Sequence, residues 1–96
     1  MPLYTFVRFD PVPGKEQQLR DELLRVLDPT RAEPGCLRIH LFESTRGAVT
    51  FIIHSECIDE ADFDAHAKLP HMTRFLAAVR DLVTNPLQAV RTSRIA

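Results

Sequence analysis

The chain has 96 residues, 45% of them hydrophobic, with 12 basic and 13 acidic side chains and a formal net charge of −1. That length makes one domain, residues 1–96, and the apolar content is too high for a disordered chain. The charges are mixed along the sequence with no basic block, so neither nucleic acid nor anionic lipid is an expected partner, and no apolar run approaches the length of a membrane span.

Met1-Pro2-Leu3-Tyr4 lacks the charged start and long apolar stretch of a signal peptide. Leu3 to Phe9 is apolar and rich in β-branched and aromatic residues, and reads as a first strand. Asp10-Pro11-Val12-Pro13-Gly14 is a turn, with two prolines restricting the backbone and Gly14 free to take positive φ. From Lys15 the period becomes helical: Leu19, Leu23, Val26 and Leu27 form a stripe at i, i+4, i+7 and i+8. Pro29 is expected to end or kink this helix near Leu27-Asp28. Thr30 to Glu33 then makes a last turn, closed by Pro34-Gly35.

Cys36 to Glu43 reads as the second strand, with Leu37, Ile39 and Leu41 on one face and Arg38, His40 and Phe42 on the other. Ser44 to Gly47 is a short loop, so a third strand, from about Ala48 to Glu56, should return antiparallel. Val49, Phe51, Ile53 and Ser55 share one of its faces; Thr50, Ile52, His54 and Glu56 share the other. Asp59 is a good N-cap for a short helix over Glu60 to His66. Leu69 precedes a proline and is pushed out of helical geometry, and Pro70 suits the first position of a second helix. Met72, Phe75, Val79 and Val83 give that helix its stripe. Asn85-Pro86 ends it, and Leu87 to Arg94 is a last strand.

The order β-α-β-β-α-α-β predicts an α+β fold, a ferredoxin-like split βαβ with an antiparallel sheet and helices on one face. The strands are apolar on both faces, so a second copy packing sheet to sheet is the simplest cover, and a homodimer is expected. Cys36 and Cys57 are spaced neither as a metal site nor as a redox pair. A cytoplasmic protein with reduced thiols is expected.

Several segments in this order carry a resemblance: Pro13-Gly14-Lys15 at the entry to the first helix, Thr30-Arg31-Ala32-Glu33-Pro34-Gly35-Cys36, the central hairpin, and Phe63-Asp64-Ala65-His66-Ala67-Lys68-Leu69-Pro70-His71-Met72. Together they resemble the antibiotic biosynthesis monooxygenase family of dimeric α/β-barrel proteins, over nearly the whole chain. The resemblance implies two chains closing their sheets into a shared barrel, with the last strand reaching toward the partner. It also implies a cofactor-independent monooxygenase, in which a deprotonated quinol-like or other small aromatic substrate reacts with oxygen directly.

Two departures from the family pattern matter. Many members end the third strand with Glu, one residue, then Trp or Tyr; those positions hold Ser55 and Cys57 here, and Glu56 is displaced by one onto the opposite face. The chain has no Trp. The haem-degrading relatives use a Trp roughly where His66 stands and a haem-binding His near Leu76, so haem degradation is disfavoured and no cofactor is expected.

His66 and His71, on either side of the helix break, are the candidate catalytic residues. The positive end of a helix at His71 favours a neutral ring, which suits a general base. The plain alternative is that both histidines hold the break together through backbone hydrogen bonds. His40, His54, Glu56, Phe63 and Phe75 are candidate substrate-binding residues, with His40 and His54 as possible neighbours on adjacent strands. The first three histidines are separated by 14 and 12 residues, which gives no ligand signature, and no metal is expected. Phe63 lies one turn before His66, so the two should face one pocket, where His66 matters more than His71. Two other functions compete with oxygenation: a proton-shuttling isomerase of a small phosphorylated carbonyl compound, and a non-catalytic small-molecule-binding dimer.

Overall fold

A computed structural model describes residues 1–96, the whole chain. Seven elements follow one another: β1 (Leu3–Phe9), α1 (Glu16–Arg31), β2 (Cys36–Glu43), β3 (Phe51–Cys57), α2 (Glu60–His66), α3 (Pro70–Val79) and β4 (Ala89–Thr92). The four strands form one antiparallel sheet in the order β2-β3-β1-β4. This is the α+β, ferredoxin-like architecture that the element order predicts.

The period-2 alternation sorts side chains into two faces. Opposite residues in the ladder share a face, so the register Leu3↔Cys57, Thr5↔Ser55, Val7↔Ile53 and Phe9↔Phe51 builds an inner row. Leu19, Leu23, Val26 and Leu27 of α1 and Phe75 and Val79 of α3 close over that row, and all six are buried. The outer face carries Tyr4, Phe6, Arg38, His40, Phe42, Ile52, His54, Glu56 and Val90 by the same register. Phe6, Phe42, Ile52 and Val90 are 43%, 54%, 38% and 55% exposed there, an apolar face that this chain does not cover.

Four boundaries differ from the sequence reading. Helix α3 ends at Val79, so Val83 lies beyond it and instead forms an isolated bridge with Pro11. Helix α1 runs unbroken through Pro29 to Arg31. The missing N–H leaves the carbonyl of Arg25 without its helical donor, and Arg25 is an exposed residue. Leu27 and Thr30 are both buried against the core, which holds the last turn in line. Strand β3 begins at Phe51 rather than Ala48, because Ser44 captures the loop: its hydroxyl donates to the Ala48 carbonyl at 3.1 Å and accepts from the Thr50 amide at 3.0 Å. Strand β4 is short, pairing only along Tyr4 to Val7 of β1.

At Gly35 the α1–β2 turn comes close to α2. A Cβ on Gly35 would lie 1.9 Å from Oδ1 of Asp62, so the Asp62 carboxylate rests directly on the bare Gly35 backbone and would have to swing aside for any larger residue. That approach brings the residues just before Gly35 beneath the α2–α3 break.

Candidate functional site

The break between α2 and α3 is built by local rules. Asp59 caps α2 by accepting from the Asp62 amide at 2.8 Å. The helix stops at His66 because Leu69, ahead of Pro70, is extended at φ −69° and ψ 150°. Pro70 then opens α3 and places His71 in its first turn. The two imidazoles therefore sit on either side of a three-residue connection, their ring centroids 6.0 Å apart.

Glu33 lies between them. The turn after α1 fixes its backbone: its amide donates to the Thr30 carbonyl and its carbonyl accepts from the Cys36 amide, both at 3.1 Å. Its carboxylate accepts from His66 Nδ1 at 2.7 and 2.9 Å and from His71 Nε2 at 2.9 Å. An ionised carboxylate only accepts, so it selects the Nδ1–H form of a neutral His66 and the Nε2–H form of a neutral His71. The side chains of Glu33 and His66 are each only 12% exposed, while that of His71 is 24% exposed. With Nδ1 committed to Glu33, Nε2 is the His66 nitrogen available to a ligand.

His66 and Glu33 also line a cavity of about 210 Å³ between the helices and the sheet. Its apolar walls include Val26, Ile53, Phe63, Met72 and Phe75, and no Lys or Arg is among its lining residues. Phe63 stands 5.7 Å from the His66 ring, centroid to centroid. Arg91 of β4 steadies this side of α2: it donates to Asp64 at 2.7 Å, and its guanidinium lies 4.9 Å from the Phe63 centroid. The polar groups of the wall are few. The hydroxyls of Thr5 and Ser55, both buried, hydrogen-bond each other across the β1–β3 ladder. The buried hydroxyl of Thr30 has no partner in the protein. Burial pushes the Cys57 thiol up to about 11 and raises that of Cys36 as well, so neither wall cysteine is a ready nucleophile.

The residues singled out from sequence fall into two groups. His66, Phe63 and Phe75 meet at the cavity, and His71 reaches it only through Glu33, since its ring is outside the lining. His40, His54 and Glu56 stand on the outer face of the sheet, turned away from the cavity. There His40 and His54 are direct cross-strand partners, His54 stacks on Phe6 at 4.8 Å, and Glu56 pairs with Arg38 at 3.6 Å. Alternation along each strand separates its two faces but does not say which one the helices cover. Glu33 was missed because it contacts its histidine partners from 33 and 38 residues away. Its one sequence signal is an acidic residue in the Thr30 to Cys36 segment that also carries the family resemblance.

Comparison with known proteins agrees with this architecture. The family model described as antibiotic biosynthesis monooxygenase matches residues 2–78. Rv0793 of Mycobacterium tuberculosis is 33% identical over 86 residues, covering 90% of this chain and 84% of that protein. YcnE of Bacillus subtilis is 31% identical over 80 residues, covering 83% and 84%. Both relatives carry provisional monooxygenase names. The solved structure of Rv0793 superposes with a TM-score of 0.93 at 29% identity, covering 100% of this chain and 97% of that one. PA3566 of Pseudomonas aeruginosa superposes with a TM-score of 0.90 at 27% identity, covering 99% and 95%.

Proposed function

The chain belongs to the antibiotic biosynthesis monooxygenase family, and from that premise we propose that it is a cofactor-independent monooxygenase acting on a small aromatic, quinol-like compound. The observation that carries this reading is the Glu33–His66 pair at the wall of an apolar cavity. Glu33 holds the proton on Nδ1 and leaves the Nε2 lone pair to take a proton from a bound hydroxyl. As the imidazolium forms, the adjacent carboxylate offsets its charge, the role an acidic partner plays beside any histidine base.

Removing a hydroxyl proton makes the ring electron-rich enough to react with oxygen directly. The balance closes without an external reductant. One oxygen atom ends on a ring carbon, the other leaves as water, and the substrate supplies all the electrons by becoming a quinone. The protein's part is to take the proton, hold the anion and keep bulk water out.

Cavity size narrows the substrate. An apolar cavity of about 150 Å³ holds benzene, so the volume of about 210 Å³ here suits one substituted ring and not a fused polycycle. The phosphorylated-carbonyl alternative fits poorly, because the lining holds the carboxylates of Glu33 and Asp62 and no cation. A non-catalytic binding role is separated from catalysis by experiment. Oxygen uptake with a panel of monocyclic quinols should show turnover by the wild-type protein and none by His66→Ala. His71→Ala should keep part of the activity, because it leaves the His66–Glu33 bond in place. Full activity in His66→Ala would overturn the reading.

The outer sheet face supports a second element of the proposal, a homodimer packed sheet to sheet. Its exposed Phe6, Phe42, Ile52 and Val90 form the kind of apolar surface that oligomers hide. His40 and His54 would then lie in that interface. No helix is long and apolar enough to cross a membrane.

A further inference from the structure

We propose that Glu33, His66 and His71 form a binding site for a divalent transition metal, with Zn²⁺ held by His66 Nδ1, His71 Nε2 and a Glu33 carboxylate oxygen. The three donor atoms lie within 4.8 Å of one another. Two imidazoles and a carboxylate are a donor set that zinc and its neighbours favour, and three protein ligands leave a position open. The site itself stands apart from the oxygenation chemistry, and only its inhibitory effect rests on that proposed reaction.

The existing geometry needs little change to accept an ion. Ligands about 2.1 Å from one zinc, at tetrahedral angles, are about 3.4 Å apart, and two such imidazole centroids are about 5.2 Å apart. The Glu33–His separations are 2.7 and 2.9 Å and the ring centroids are 6.0 Å apart. The Glu33–His66 distance lengthens by about 0.7 Å, the Glu33–His71 distance by about 0.5 Å, and the rings close by about 0.8 Å. Both histidines sit at the α2–α3 break, where no continuous helix resists that adjustment. Glu33 and His66 are largely buried, unlike the solvated carboxylates that hold ions only weakly.

Metal entry replaces the two hydrogen-bonded protons by one cation. His66 changes from its Nδ1–H to its Nε2–H form, and His71 from Nε2–H to Nδ1–H, with no net proton release. The nitrogen that serves as the base in the proposed reaction then carries a hydrogen, so the loaded protein has no base at that position and zinc acts as an inhibitor.

The test titrates Zn²⁺ alone into the chelator-treated full chain by calorimetry, with ring ¹⁵N NMR of the histidines alongside. One ion per chain should bind saturably. Glu33→Gln and His71→Ala should each weaken binding at least about tenfold, the order lost even when outer partners of a metal site are removed. His54→Ala should not change it. In the wild-type protein, which needs no variant to fold, the His66 and His71 tautomers should both switch while His40 and His54 stay as they were. Binding unchanged in Glu33→Gln, zinc-induced changes at His40 and His54 instead, or no saturable binding would each overturn the site.

Discussion

Replacing Glu33 by Gln removes the negative charge from between the two histidines and keeps the side-chain shape. The size of the effect follows from geometry. With 2.7 Å between Oε2 and His66 Nδ1, the charge centres of carboxylate and imidazolium are about 4 Å apart. At an effective dielectric constant of about 20 their attraction is about 4 kcal/mol. One tenfold change in rate corresponds to about 1.4 kcal/mol, so losing the whole attraction would slow proton removal about a thousandfold. The site is partly open to water, which screens some of it, and a fall in kcat/KM of about one hundred- to one thousandfold is expected, within the usual contribution of a general base. The assay is oxygen uptake with a monocyclic quinol, run beside a thermal melt of each protein. The hydrogen bonds to a charged acceptor also hold α2 against the α1–β2 turn, so a loss of about 1–3 kcal/mol in stability should accompany the substitution. A folded Glu33→Gln protein within tenfold of wild-type activity would refute the pairing of Glu33 with His66 as the catalytic unit.

Three further outcomes follow from single residues. Thr30→Val replaces an unpartnered buried hydroxyl by a methyl of the same shape; stability should hold or rise by up to about 1 kcal/mol in a urea melt. Cys57 has its thiol raised to about 11 by burial, so the neutral form stabilises the fold below the ordinary thiol value of 9.0, and that contribution is lost as pH climbs from there through about 11. Chemical melts between pH 8 and 11 should show a decline above pH 9 that is smaller in Cys57→Ala, where only the raised Cys36 thiol remains, and iodoacetamide labelling near pH 8 should be slow until the chain is unfolded. Ile52→Asp puts a charge on the outer sheet face and should convert a dimer into monomers in sedimentation velocity at micromolar concentration; a wild-type protein already monomeric there would remove the dimer from the account.

What could be read from the sequence is what short-range rules control. Asp59 and Pro70 mark their helix starts because capping and proline geometry involve only neighbouring residues. Alternation in Leu3 to Phe9 and Cys36 to Glu43 sorts side chains into faces because the strand period is two. Pro29 misled because its cost is one lost hydrogen bond on the solvent side, less than the packing of Leu27 and Thr30 against the core. His40, His54 and Glu56 could not be separated from His66 in advance, since the face that helices cover is decided by packing across the whole sheet. Glu33 was out of reach for the same reason. Its link to the histidines is a contact between distant parts of the chain, 33 and 38 residues apart.

The central claim is that His66 takes a proton from a ring bound in the cavity. Without oxygen the reaction stops at that step, so the anion itself can be observed. A monocyclic quinol mixed anaerobically with the protein should show the absorbance of its phenolate when bound to the wild-type chain and that of the neutral phenol with His66→Ala. Equal neutral spectra with both proteins, once calorimetry shows the quinol bound to each, would contradict the account.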